Sequence, residues 1–215
     1  MARPALDKRD IEEFRDRVVS VALDLFADDG LEAVTLRAIA DQLGCSAAKI
    51  YNYFDGKEAI LAATRAECFR RFADFIEDRL EGVEDPETVL FVQGRSYLEY
   101  ARRQPHAFKI MFTLDRAPAE EFREIRRAIR RSWNIVRRGV RQAVEAGVLV
   151  GSVDEIADLL WSGIHGITTL DLAGTPGPEW DPSALADSMF LALIDAHRPD
   201  HCDADLDHDL AVDGG

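Results

Sequence analysis

Cysteine is scarce in this chain: three among 215 residues, Cys45, Cys68 and Cys202, with no CxxC spacing. So small, odd and dispersed a set builds no disulfide framework and fits a reducing compartment. Long apolar runs are missing too. No stretch reaches the roughly 18 apolar residues of a membrane span, and the opening MARPALDKRD lacks the apolar run of a secretory signal. The expectation is a cytoplasmic protein with no membrane partner. Basic charge is in deficit, with 26 Lys and Arg against 40 Asp and Glu and a formal net charge of −14. So acidic a body repels nucleic acid in general, and any contact with it must rest on a small, well-placed patch. Strand alternation and internal repeats are also lacking, while helical spacing of apolar residues runs through the chain. The expected fold is all-α with about nine helices.

What is present begins with TLRAIADQLGCSAAKIYNYF, residues 35–54. Leu36, Ile39, Ala40 and Leu43 fall at i, i+3, i+4 and i+7, one face of a short helix. Thr35 supplies an N-cap oxygen, and Gly44 can take the left-handed conformation that ends a helix. Ser46 then caps a second helix in which Ile50 and Phe54 face inward, leaving Ala48, Lys49, Asn52 and Tyr53 to face away from the core. Two helices joined by a short Gly-containing turn form either an ordinary helical hairpin or a helix-turn-helix, whose second helix enters the major groove of DNA. Small residues at Ala47 and Ala48 permit close approach to bases, and Lys49 and Asn52 carry donors for base edges or phosphates.

The flanks, VVSVALDLFADDG before the pair and DGKEAIL after it, decide between these readings. Ala22, Leu25, Phe26, Gly30, Thr35, Ile39, Ala40, Gly44, Ser46, Ile50, Tyr51, Tyr53, Phe54, Lys57, Glu58 and Leu61 together resemble the DNA-binding domain of TetR-family (tetracycline-repressor-like) regulators. Ala48 stands where that family often has Gly, and Lys49 where it often has a small hydroxyl residue; both bear on which operator is read. The resemblance implies phosphate contacts from Thr35, Arg37, Ser46, Tyr51 and Lys57, and base contacts from Ala47, Ala48, Lys49, Asn52 and Tyr53. Residues 1–61 still hold eight Lys or Arg against twelve Asp or Glu, so placement matters more than totals.

Downstream, Asp55 and Glu58 suggest a capping box for a helix from Gly56 to about Arg79. Asp85 and Pro86 start another that ends before Pro105. The short apolar segment PHAFKIMF follows, then helices from about Pro118 to Ala146, 153 to 173 and 182 to 197. Eight arginines (123, 126, 127, 130, 131, 137, 138 and 141) crowd one of these helices, as a second nucleic-acid site or as a solvated, salt-bridged face beside the apolar stripe of Ile125, Ile129, Val136 and Val140. The end of the chain carries His201, Cys202 and His208 among aspartates, without a zinc spacing; a solvated acidic tail over 199–215 is the expectation, and no metal or other cofactor.

WSGIHGITTLDLAG, residues 161–174, with PHAFKIMF, resembles the C-terminal domain of the TetR subgroup known by a Trp-His-Gly motif, on Trp161, His165 and Gly166. That resemblance implies a helical domain which binds a small-molecule effector and makes a homodimer. Trp161 and His165, four apart, share a helix face and line a pocket or pack a core. Phe72, Phe112, Trp133 and Trp161 would make a largely apolar effector site, with Gln93, Asn134 and His165 as polar contacts. The expected organisation is a DNA-binding domain at 1–55, an effector and dimerisation domain at 56–198, and the tail. The resulting expectation is a repressor released from a palindromic operator by its effector; an activator or a ligand-independent regulator fits the same residues. An enzyme using His165 with Asp171 or Asp154 would also need a nucleophile and an oxyanion site, and none is legible, so no catalytic residue is expected.

Overall fold

A computed structural model describes residues 7–113, 122–174, 177 and 179–199. The start of the arginine-rich helix at Pro118, and His201, Cys202 and His208 of the tail, lie outside the described residues. Among those described the chain is all-α. In order these are α1 (Lys8–Asp29), a 3-10 turn (Leu31–Ala33), α2 (Leu36–Gln42), α3 (Ala47–Ile50), α4 (Lys57–Leu80), α5 (Pro86–Arg103), α6 (Pro105–Thr113), α7 (Arg123–Glu145), α8 (Val153–Leu172) and α9 (Pro182–Ala196). No helix among them is long and apolar enough to cross a membrane.

The chain divides into two compact units, residues 1–71 with 106–130, and 72–105 with 131–215, so that α4 and α7 each contribute to both. In the first unit α1 buries Phe14, Val18, Ala22, Leu25 and Phe26 along one face and leaves Asp24, Asp28 and Asp29 exposed. Gly30 stops it at φ +81, a conformation that only glycine adopts without strain. Val34, Ile39, Ile50, Phe54 and Ile60 complete this core.

The second unit is built on close helix approaches at glycines. A Cβ at Gly94 of α5 would stand 2.4 Å from the Phe190 ring of α9. At Gly139 of α7 it would stand 2.6 Å from the Gln93 amide, and at Gly163 of α8 2.8 Å from the Met189 sulfur. Side-chain caps start the helices: Asp85 accepts from Thr88 N at 2.8 Å, and Asp181, before Pro182, accepts from Ser183 N and Ala184 N. Three of the α7 arginines meet carboxylates, Arg131 pairing with Asp74 and Glu77 of α4, Arg138 with the same Glu77, and Arg137 with Asp154 of α8.

Candidate functional site

In the first unit the two short helices are capped from their own sequence. Thr35 Oγ1 accepts from Ala38 N at 3.1 Å, the chain reverses through Gly44 at φ +62, and Ser46 Oγ accepts from Lys49 N at 3.3 Å. Buried Ile39, Ala40, Ile50 and Phe54 hold the pair together. The opposite surface carries Thr35, Arg37, Ser46, Ala48, Lys49, Tyr51 and Asn52, all exposed; Ala47, Tyr53 and Lys57 are half-buried. Tyr51, 61% exposed, is the large apolar side chain most open to solvent among the described residues.

Three placements differ from the sequence expectation. The second helix is shorter than its spacing suggests: beyond Ile50 the bonds of Asn52 N to Lys49 O and Tyr53 N to Ile50 O tighten the chain into turns. Tyr53, expected to face outward, instead packs its ring, tilted by 38°, 4.4 Å from that of Phe14 in α1. Lys57 directs Nζ to the Leu31 carbonyl at 3.4 Å, bracing the 3-10 turn. Arg37 keeps an almost fully exposed side chain with only a 4.0 Å contact to Asp41, and Lys49 rests its ammonium 4.6 Å over the Phe14 ring while staying exposed. One participant had no local sequence signal. Arg15 of α1 donates to the Tyr53 carbonyl at 2.5 Å and lays its guanidinium 4.1 Å over the Phe54 ring.

In the second unit Trp133 and Trp161 meet at 4.7 Å between ring centroids, and Trp161 stacks on His165 at 5.1 Å. Tyr97 of α5 joins them, its hydroxyl 2.8 Å from His165 Nδ1, and Phe72 meets the Tyr97 ring edge-on at 5.2 Å. Trp161 also hydrogen-bonds the Tyr97 hydroxyl. Burial holds the imidazole below the usual histidine range and pushes the Tyr97 phenol up. Gln93 is buried and donates to the Ile135 carbonyl at 2.9 Å. Gln93, Gly94, Tyr97, Trp161 and Phe190 line a cavity of about 20 Å³, room for about one water molecule. Tyr97 and Phe190, both buried here, were missed from sequence because their partners lie far along the chain. Of the expected effector contacts, Asn134 is exposed, and Phe112 belongs to the first unit, where it packs on Phe69 and Phe108.

Two other features have ordinary explanations. A groove of about 460 Å³ on α5 is lined by Arg95, Arg102 and Arg103, each already paired: with Asp187 at 2.8 Å, Asp171 at 2.7 Å and Glu99 at 2.7 Å. Asp171 is thereby held by Arg102 rather than by His165. Cys68 is fully buried, its thiol pushed up to about 12 by desolvation, which makes it inert rather than reactive.

Against known proteins, residues 18–64 match the family described as bacterial regulatory proteins, tetR family, and residues 90–193 match the tetracyclin repressor-like C-terminal domain. The chain has the TetR-family fold and domain architecture. It is 32% identical over 113 residues to an uncharacterized HTH-type transcriptional regulator of Mycobacterium tuberculosis, covering 53% of this chain and 55% of that protein. The HTH-type transcriptional repressor KstR2 of Mycolicibacterium smegmatis is 35% identical over 74 residues, 34% of each chain. The TetR-like chain thus spans about half the length of the first of these relatives and a third of the second. Among solved structures, a protein of unknown function from Rhodococcus sp. RHA1 shares the fold with a TM-score of 0.76 at 22% identity, over 85% of this chain and 94% of that one.

Proposed function

We propose that this TetR-like chain is a cytoplasmic transcriptional regulator that binds double-stranded operator DNA as a homodimer and represses until a small, largely apolar effector releases it. The observation that carries the reading is the capped helix pair, whose outer surface gathers exposed Thr35, Arg37, Ser46, Ala48, Lys49, Tyr51 and Asn52 while its inner residues are buried. In a two-fold dimer such surfaces would enter successive major grooves roughly 34 Å apart, so the operator would be palindromic. Supporting a dimer, Leu159, Leu170 and Leu172 of α8 and Leu185 and Leu191 of α9 are exposed leucines on adjoining helices. Such a concentration of apolar surface calls for a covering partner. The Trp133, Trp161, His165 and Tyr97 cluster would take the effector, consistent with the resemblance to the Trp-His-Gly subgroup, after opening beyond the single-water space now present. The repressor sense follows the likeness to KstR2.

The test is selection of duplexes from a random DNA library by the full chain, with light scattering to give the mass in solution. A palindromic consensus bound by a dimer, and lowered transcription in vitro when that site overlaps a promoter, is the expected result. No enrichment over the starting library would refute DNA reading; raised transcription would replace repressor by activator.

A further inference from the structure

The end of the second short helix is held from outside by a chain of charges. Arg15 of α1 donates Nη1 to the Tyr53 carbonyl at 2.5 Å and stacks over Phe54 at 4.1 Å, so one guanidinium grips the two residues that follow the exposed pair Tyr51 and Asn52. Its neighbour Phe14 meets the Tyr53 ring from the same helix at 4.4 Å and carries the Lys49 ammonium over its face. A guanidinium over a ring and on a carbonyl still has donors to satisfy, and Arg15 turns Nη2 to Glu124 Oε2 at 3.3 Å. Glu124 stands in the first turn of α7 and gives its other oxygen to Arg70 of α4 at 3.4 Å. One carboxylate thus sets the position of the arginine that sets the end of the DNA-facing helix, and it lies 109 residues away in sequence.

We propose that Glu124 is a positioning residue for DNA reading: by holding Arg15 on Tyr53 and Phe54 it fixes the pitch at which Tyr51 and Asn52 are presented. Arg15 is the gripping group and Glu124 the setting that aims it. Because α7 continues to Glu145 and carries Trp133, the same helix bears both the aiming carboxylate and one wall of the aromatic cluster. The proposal rests on the reading of the capped pair as the DNA-binding surface, and adds that discrimination between sequences depends on a carboxylate that does not lie on that surface.

Simple electrostatics predicts a different outcome from positioning, and the difference makes the test. Removing a negative charge from a −14 chain raises affinity for every duplex by a similar factor, since phosphate attraction carries no sequence information. Loss of aim instead lowers affinity for the selected operator relative to random duplex. The experiment measures binding of the full chain to the operator selected from the library and to a scrambled duplex, for the parent, Glu124→Gln, Arg15→Lys and the double variant, with folding checked by circular dichroism. The expected result is a ratio of operator to scrambled affinity lowered about threefold by Glu124→Gln, the scale of a partly exposed ion pair. Arg15→Lys, which keeps the charge but loses the fork geometry, should lower it at least as much. Adding Glu124→Gln to Arg15→Lys should then change little, because Glu124 acts through Arg15. An unchanged ratio in Glu124→Gln, with both affinities raised equally, overturns the proposal, as does additivity of the two substitutions. Neither result touches the DNA-binding reading, which stands or falls on the parent's preference for the selected operator.

Discussion

Gly94→Ala probes the tightest helix approach in the second unit. The added methyl would sit 2.4, 2.6 and 3.1 Å from three carbons of the Phe190 ring, well inside contact distance. Phe190 is itself buried and packs 5.9 Å from Phe91, so the ring has little room to retreat. Overpacking of this kind costs about 1–3 kcal/mol, while replacing a mid-helix glycine by alanine returns about 1 kcal/mol of helix propensity. The net expectation is a loss of up to about 2 kcal/mol, or several degrees in Tm at about 2–4 °C per kcal/mol for a chain of this length. Phe190→Ala alone should cost about 3–5 kcal/mol through the cavity it leaves. With the ring gone the clash is gone, so Gly94→Ala should become stabilising by about 1 kcal/mol in the Phe190→Ala background, a reversal of sign. The three tryptophans, Trp133, Trp161 and Trp180, all belong to the second unit, so urea unfolding followed by tryptophan fluorescence reports the unit concerned. If Gly94→Ala shifts stability in the same direction in both backgrounds, the approach of α5 to Phe190 does not govern this site.

Thr35→Ala removes the acceptor for Ala38 N and should destabilise the first unit by about 1 kcal/mol, read by the circular-dichroism melt; Thr35→Ser should recover most of it. Tyr51→Ala should weaken binding to operator and scrambled duplex alike, whereas Asn52→Ala should change which sequence is preferred, a split that competition against operator variants will detect. Leu170→Glu with Leu191→Glu places charges among the exposed leucines of α8 and α9 and should shift the mass in light scattering from dimer to monomer; an unchanged dimer would move the interface elsewhere. Burial lowers the His165 pKa, so the folded state resists a proton that the unfolded chain accepts. Stability should therefore be full above the ordinary histidine value near 6.5 and fall as pH drops through it, flattening only below the folded value. His165→Gln should reduce the loss in urea midpoint between pH 7.5 and 5.5, and an undiminished loss would assign the dependence to other groups.

Local chemistry made much of this protein legible before any coordinates. Thr35, Gly44 and Ser46 act through bonds and dihedrals that span three or four residues, so the helix pair and its turn followed from neighbours alone. The same holds for Asp85 before Pro86, and for the all-α class, since period-3.6 apolar spacing is a property of each segment by itself. What the sequence could not carry were the identities of partners brought together by folding. Tyr53 turned inward because Phe14, on another helix, offered its ring, and Lys57 went to the Leu31 carbonyl rather than outward. Arg15 with Glu124, and Tyr97 with His165, are joined across 109 and 68 residues, a separation at which no spacing rule operates. By itself the sequence determined which segments are helices and which residues a DNA-facing surface could use. Only tertiary packing decided which of those side chains point outward, because a side chain on the edge of a helix goes to solvent or to a neighbour according to what the neighbouring helix presents.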